Sequence, residues 1–259
     1  MDREKLHALF DVRGRTAIVT GGTRGIGRAI AEGLACAGAD VVVASRKADA
    51  CRETEARLRE LGAGESDALG VPTHLGDVDA IAALVDATVD RFGGVDIVVN
   101  NAANALALPI GGYTVDAWEK SMAVNLRGPA FLVERALPHL TASAHGAVLN
   151  VISVGAFLFS AGTSMYAAGK AGLLALTRSQ AAELAGRGIR ANALAPGTVM
   201  TDMVFNNPPE RVEAMAKASL LRRGAQPDEM VGPALFLVSD ASSFMTGQVL
   251  IVDGGLAPH

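Results

Sequence analysis

The sequence predicts a single α/β domain: a seven-stranded parallel sheet with helices packed on both faces. Three observations carry this reading. Short β-branched runs alternate with longer stretches of helical spacing, which is the pattern of βαβ units. The strand runs are apolar throughout and do not alternate, as expected of strands buried on both faces. Half of the 259 residues are apolar, yet only 4% are aromatic and 29 are glycine, a composition suited to small-faced helices lying close on a sheet.

The elements follow in chain order. Residues 1–10 form a charged N-terminal extension, "MDREKLHALF", with no apolar signal core. Strands are expected at Thr16–Thr20, Val41–Ser45, Val71–Leu75, Asp96–Asn100, Ala147–Ile152, Ile189–Ala195 and Gln248–Asp253, with six helical segments between them. The Gly-rich stretch Leu61–Gly70 reads as a surface loop. Residues 201–220, "TDMVFNNPPERVEAMAKASL", read as a mobile substrate lid. "AVNLRGPAFLVERAL" (Ala123–Leu137) has helical spacing but carries Gly128 and Pro129, which cost roughly 1 and 3 kcal/mol in a helix interior. Pro129 cannot donate to the carbonyl four residues back, which is that of Asn125. No linker or internal repeat divides residues 1–259.

Charge and composition exclude several functions. The net charge is −4 and no basic run occurs, so nucleic acid and anionic membrane surfaces are not expected partners. No apolar run reaches the ~18 residues of a membrane span. Cys36 and Cys51 match no metal or redox spacing. A soluble, cytoplasmic, metal-free protein is expected.

The first strand runs into "GGTRGIG", where Gly21, Gly25 and Gly27 are spaced Gly-x-x-x-Gly-x-Gly before a helix. Glycines permit a tight turn and close backbone approach, and a helix N-terminus offers unpaired N–H groups to a diphosphate. Glycine turns also serve merely to connect elements, but this one follows the first strand of an alternating α/β chain. At the end of the second strand a dinucleotide enzyme selects its cofactor: a carboxylate suits the ribose 2′-OH of NAD, a cation the 2′-phosphate of NADP. Here Ser45, Arg46 and Lys47 stand there, with Arg24 in the glycine turn as a further cation. The functional reading is NADP(H); the plainer one is a solvated, charged loop.

Tyr166 and Lys170, at i and i+4, share one helix face. A free tyrosine has a pKa near ~10, so a base at neutral pH needs a nearby cation to lower it. Alone, such a pair is commonly surface decoration. Taken with "TGGTRGIG", with "NNAA" (Asn100–Ala103) after the fourth strand, with Ser153 before the tyrosine and with "PGTVMT" (Pro196–Thr201) after the sixth strand, it gives a chain that resembles the short-chain dehydrogenase/reductase family from about Phe10 to Gly255. The resemblance implies a Rossmann-type doubly wound enzyme that moves a hydride between a nicotinamide and a carbonyl/alcohol pair. It implies Tyr166 as general acid/base, Lys170 lowering the tyrosine pKa and binding the nicotinamide ribose, Ser153 holding the substrate oxygen, and Asn125 as the fourth member. In the family the helix carrying that asparagine is kinked and its main-chain carbonyl holds a water of the proton relay; Pro129 would keep that carbonyl available and Gly128 would help the bend. The cofactor would meet Gly21, Thr23, Arg24, Gly25, Ile26 and Gly27 in the turn, Ser45 and Arg46 at the second strand, and His74 and Leu75 at the third. Asn101, Ala102, Pro196, Gly197, Val199 and Thr201 would line its nicotinamide half together with Tyr166 and Lys170.

Two departures from the family pattern stand out. Ala103 replaces the usual glycine of Asn-Asn-Ala-Gly, and His74-Leu75 replaces a common Asp-Val, which leaves the adenine-amino contact open while Leu75 covers the adenine face. Phe157, Leu158 and Phe159, with Met203 and Phe205 in the lid, point to a partly apolar small-molecule substrate, although such side chains also pack cores and subunit contacts. Small residues around Tyr166 (Ala167, Ala168, Gly169, Ala171, Gly172) let helices approach closely, within a subunit or between two, and the family commonly forms homotetramers in this way. The rival readings are an NAD-linked polyol or hydroxyacid dehydrogenase and a catalytically silent dinucleotide-binding sensor.

Overall fold

The computed structural model describes residues 1–158 and 161–257. Phe159, one of the expected substrate-side residues, lies outside the described residues. Seven parallel strands form one sheet in the order β3-β2-β1-β4-β5-β6-β7. They are β1 (Thr16–Thr20), β2 (Asp40–Ser45), β3 (Ala68–Pro72), β4 (Ile97–Asn100), β5 (Ala147–Val151), β6 (Arg190–Pro196) and β7 (Val249–Val252). The helices are α1 (Arg3–Ala8), α2 (Gly25–Cys36), α3 (Ala48–Gly62), α4 (Val78–Phe92), α5 (Val115–Met122), α6 (Gly128–Ala142), α7 (Ser164–Leu184), α8 (Asp202–Phe205), α9 (Pro209–Lys217) and α10 (Val231–Val238).

Parallel pairing with both faces covered explains the continuous apolar strands. Side chains alternate across the sheet: Ala17, Val19, Val41, Val43, Ile97 and Val99 face α2 and α10, which contribute Ile30, Leu34, Ala234 and Leu237. Ile18, Val42, Val98 and Val148 face α4, α6 and α7, which contribute Leu84, Leu132 and Leu184. The strand order reverses between β1, which pairs β2 on one side, and β4 on the other. Ligands of such sheets bind outside the carboxyl ends at that switch point. Among the described residues no helix is long and apolar enough to cross a membrane.

Two expectations are corrected. The third strand runs Ala68–Pro72, not Val71–Leu75, and pairs β2 from Val41↔Ala68 to Ser45↔Pro72. Gly70 sits inside it because a Cβ there would come within 2.5 Å of the Cys51 carbonyl oxygen of α3. The supposed loop Leu61–Gly70 is therefore the end of α3, a turn through Ala63 at φ +47°, and the start of β3. The other strand ends match expectation or differ from it by one residue; Asp96, for example, leaves β4 and uses its carboxylate to accept from the Thr16 N–H at 2.7 Å.

Candidate active site

The turn after β1 has the shape a diphosphate requires. Gly21 and Gly25 have φ of +65° and +54°, which L side chains rarely adopt. A Cβ at Gly27 would lie 2.2 Å from Asn101 Nδ2 and 2.4 Å from the Gly21 carbonyl oxygen. Asn101 is fixed there by donating to the Thr20 carbonyl at 2.9 Å, while the Thr20 hydroxyl accepts from the N–H groups of Asn101 and Ala102. The α2 N-cap, Arg24, makes no side-chain cap bond, and no acidic residue occupies the first turn. The positive end of this twelve-residue helix is thus free to meet an anion, and the residues fit a dinucleotide diphosphate.

At the carboxyl end of β2, the Thr23 hydroxyl pairs with that of Ser45 at 3.0 Å. Arg46 and Lys47 are exposed, and among the described residues no carboxylate pairs with either. Arg24 lies 3.7 Å from Asp202 at the start of α8. Beyond β3, the His74 Nδ1 accepts from the Gly76 N–H at 3.0 Å, so the ring is turned back on its own loop. Leu75 is only 5% exposed. Most of its side chain is packed inward, beside the Gly128 turn, where a Cβ on Gly128 would lie 3.2 Å from Leu75 Cβ.

The catalytic candidates meet at the carboxyl ends of β5 and β6. Ser153 follows β5, and its hydroxyl accepts from the Gly155 N–H at 3.0 Å and hydrogen-bonds the Tyr166 phenol. Burial raises the tyrosine pKa, and this serine bond opposes the rise. Lys170, one turn along α7, sits beneath the ring with Nζ 5.8 Å from its centroid. Burial lowers the lysine pKa to about 8. Its Nζ donates to the Val151 carbonyl at 2.6 Å, leaving two N–H groups for other acceptors. The serine bond thus favours the ionised phenol, and the lysine stands one turn away against the same ring.

Asn125 occupies a π-helical turn, Ala123–Arg127, between α5 and α6. The Gly128 N–H bonds the Ala123 carbonyl, one residue farther back than in an α-helix, a widening that recurs at functional sites. This is the bend that Gly128 and Pro129 announced, but Gly128 has a different cause. A Cβ there would lie 2.5 Å from the Leu75 carbonyl oxygen, so glycine is required by close approach. The Asn125 side chain is wholly buried and held at both ends: it accepts from Asn104 N–H at 2.9 Å and donates both amide hydrogens, to Asn104 O at 2.8 Å and Ser121 Oγ at 3.1 Å. Gly169 of α7 brings the lysine helix against this turn, since a Cβ there would lie 2.8 Å from Asn125 Cβ.

Pro196 ends β6, and Gly197 packs against β7, where a Cβ would lie 2.7 Å from Asp253 Cα. Val199 is buried at 4% exposure and bridges Ala225, so it offers backbone to the site. Thr201 touches the glycine turn, its Cγ2 lying 3.1 Å from where a Gly25 Cβ would be. The expected lid contains α8 and α9, which border an open cleft of about 360 Å³ lined by Met200, Phe205, Pro209, Val212 and Glu213. Met203, Phe205 and Phe157 are exposed at 46%, 57% and 45%. Sequence reasoning missed Asn104, Ser121 and the Val151 carbonyl, and also a hydrogen bond between Tyr113 and Ser164. None of these carries a local pattern; each acts through a partner remote in sequence or through the main chain.

A family model described as "Enoyl-(Acyl carrier protein) reductase" matches residues 21–257. The chain belongs to the short-chain dehydrogenase/reductase family of oxidoreductases. It is 40% identical over 242 residues to a cis-4-hydroxycyclohexanecarboxylate dehydrogenase of Sinomonas cyclohexanicum, covering 93% of this chain and 96% of that one. Among solved structures it resembles a gluconate 5-dehydrogenase from Burkholderia cenocepacia J2315 in complex with NADP and tartrate (34% identity, TM-score 0.89, covering 97% of this chain and 98% of that one). It also resembles a 7α-hydroxysteroid dehydrogenase complexed with NADH and 7-oxo glycochenodeoxycholic acid (31% identity, TM-score 0.91, covering 98% of each).

Proposed function

We propose that the protein is an NADP(H)-dependent oxidoreductase that interconverts a carbonyl and a secondary alcohol on a small to medium, partly apolar substrate, with Tyr166 as general acid/base. The observation that carries this is the Ser153–Tyr166–Lys170 group, which shares the carboxyl edge of the sheet with the cation-tipped end of β2. When bound, NADP(H) supplies or accepts the hydride. In the reducing direction Tyr166 gives its phenolic proton to the substrate oxygen, and in the oxidising direction it takes that proton back. Ser153 holds the same oxygen and donates to the phenolate, and the Lys170 ammonium beneath the ring stabilises the charge left on it. Lys170 returns a proton to Tyr166, and the Asn125 carbonyl, denied its ordinary helical donor by Pro129, extends that relay to water.

Arg46 and Lys47, without carboxylate partners among the described residues, support NADP(H) over NAD(H). The exposed Phe157, Met203 and Phe205 support an apolar substrate flank, and the relative named for a ring-borne alcohol fits that class. A homotetramer belongs to the same reading: Ala168 and Ala171 are exposed on α7, with Trp118 and Phe131 of the neighbouring helices 41% and 43% exposed. Light scattering that gives a monomer at micromolar concentration rejects the tetramer. A cytoplasmic setting accords with two free cysteines. The test of the function is a panel of cyclic and acyclic ketones and alcohols followed by nicotinamide absorbance with NADPH and NADH in parallel. Turnover with NADPH preferred supports the reading, and preference for NADH rejects the cofactor assignment.

A further inference from the structure

The loop after β3, residues 73–77, is fastened to the π turn that carries Asn125. Arg127 Nη2 donates to the Gly76 carbonyl at 2.9 Å. Next to it, Gly128 has no side chain because the Leu75 carbonyl oxygen and Cβ would stand 2.5 and 3.2 Å from one. A Cβ on Gly76 would in turn meet Ala123 Cβ at 3.5 Å. The loop's other bonds are to its own chain neighbours or to β2: Thr73 N–H to the Ser45 carbonyl at 2.8 Å and Asp77 N–H to the His74 carbonyl at 2.9 Å, the Thr73 hydroxyl to the Val71 carbonyl at 3.2 Å, the Gly76 N–H to the His74 ring at 3.0 Å, and Asp77, which caps α4 by accepting from the N–H groups of Asp79, Ala80 and Ile81. Because β3 is the outermost strand on its side of the sheet, no further strand braces the loop. The π turn is its wall.

In a doubly wound sheet the half containing β1, β2 and β3 takes the adenosine end of a dinucleotide, and the other half takes the nicotinamide end. The seam between the loop and the turn therefore joins the two ends of the site. We propose that Arg127 and Gly128 are cofactor-positioning residues: Arg127 tethers, and Gly128 sets the depth of, the loop that borders the adenosine half, on the same turn that holds Asn125. The proposal rests on the dinucleotide reading above. It assigns the two residues distinct effects. Losing the Arg127 tether frees the loop alone, whereas a methyl group at Gly128 pushes the loop and the Asn125 turn apart.

The experiment separates the halves of the cofactor. Wild type, Arg127→Ala, Arg127→Lys and Gly128→Ala are titrated by calorimetry with 2′,5′-ADP, which carries only the adenosine half (5′-AMP if NADH proves the tighter dinucleotide). They are then assayed with NADPH and with reduced nicotinamide mononucleotide, which lacks that half. Arg127 is exposed, so its variants leave the core intact. Arg127→Ala should weaken 2′,5′-ADP binding and raise the KM for NADPH by about five-fold, the scale of one hydrogen bond. It should leave kcat and the reaction with reduced nicotinamide mononucleotide unchanged, and Arg127→Lys should recover most of the loss. Gly128→Ala should raise KM and lower kcat together. Arg127→Ala binding 2′,5′-ADP like wild type, or losing both halves of the cofactor equally, overturns the proposal while the dinucleotide reading stands. Wild type that binds neither NADPH nor NADH overturns both.

Discussion

Replacing Gly169 with alanine should leave a folded protein with a damaged active site. The added Cβ would lie 2.8 Å from Asn125 Cβ and 3.6 Å from Asn125 Cγ, whereas non-bonded carbons rest at roughly 3.5–4.0 Å. One side must recede by about 1 Å, the shortfall from that contact distance. Asn125 cannot turn away, because its Cβ is fixed by the backbone and its amide is held by bonds of 2.8, 2.9 and 3.1 Å. The movement therefore passes to α7, which carries Tyr166 and Lys170. A misplacement of ~1 Å at reacting groups costs about 10²-fold in rate. Stability changes little: alanine gains about 1 kcal/mol over glycine in a helix, and overpacking costs ~1–3 kcal/mol. The net loss of at most ~2 kcal/mol lowers Tm by no more than about 4–8 °C in a chain of this size, at roughly 2–4 °C per kcal/mol. Steady-state kcat and thermal unfolding are measured side by side, with Gly172→Ala as control. There the new Cβ meets Leu126 Cδ2 at 3.1 Å, the end of a side chain that can rotate, so kcat should stay near wild type. Gly169→Ala with kcat within about three-fold of wild type and an unchanged Tm would refute the reasoning, given the ~10²-fold expectation.

Three further outcomes are expected. Lys170→Met should abolish turnover yet raise stability at pH 7 without cofactor, because a lysine with its pKa moved from 10.5 to about 8 is an ammonium buried at a cost of about 3 kcal/mol. Between those pKa values the unfolded chain binds more protons, so wild-type stability rises with pH, and the gap in Tm should close as pH is raised above 8; a gap that widens contradicts the burial argument. Arg46→Asp should shift kcat/KM from NADPH toward NADH, since a carboxylate repels the 2′-phosphate and accepts from the 2′-OH; no shift in the ratio counts against the role of Arg46. Pro129→Ala should stay folded and bind NADPH but turn over more slowly, because the restored N–H takes the Asn125 carbonyl into the helix; an unchanged kcat removes Pro129 from the relay.

Most of the strands and the neighbourhood of Tyr166 and Lys170 were legible because both depend on local pattern. Buried β-branched runs announce β1, β2, β4, β5 and β6, and Tyr166 and Lys170 share a helix face wherever that helix lies. β3 was misplaced because Gly70, which reads as a loop residue, is demanded by the Cys51 carbonyl of a helix nineteen positions back. Gly128 was explained as a hinge when its cause is the Leu75 carbonyl, a contact between residues far apart in sequence. The pairing of Asn125 with Asn104 was hidden for the same reason. Lys170 was placed beside the tyrosine by its spacing and by the family resemblance; its burial and its bond to the Val151 carbonyl, which depend on how β5 lies beneath α7, were not legible.

The central claim, that Tyr166 carries the proton of a hydride transfer, is tested most directly by Tyr166→Phe, with turnover and NADPH binding measured on the same preparation. The ring and its packing remain, and only the hydroxyl bonded by Ser153 is lost. The account predicts NADPH affinity near wild type and turnover reduced by ~10²–10⁴-fold, the usual contribution of general acid/base catalysis. Retention of more than about a tenth of the wild-type rate, far above that range, would contradict it.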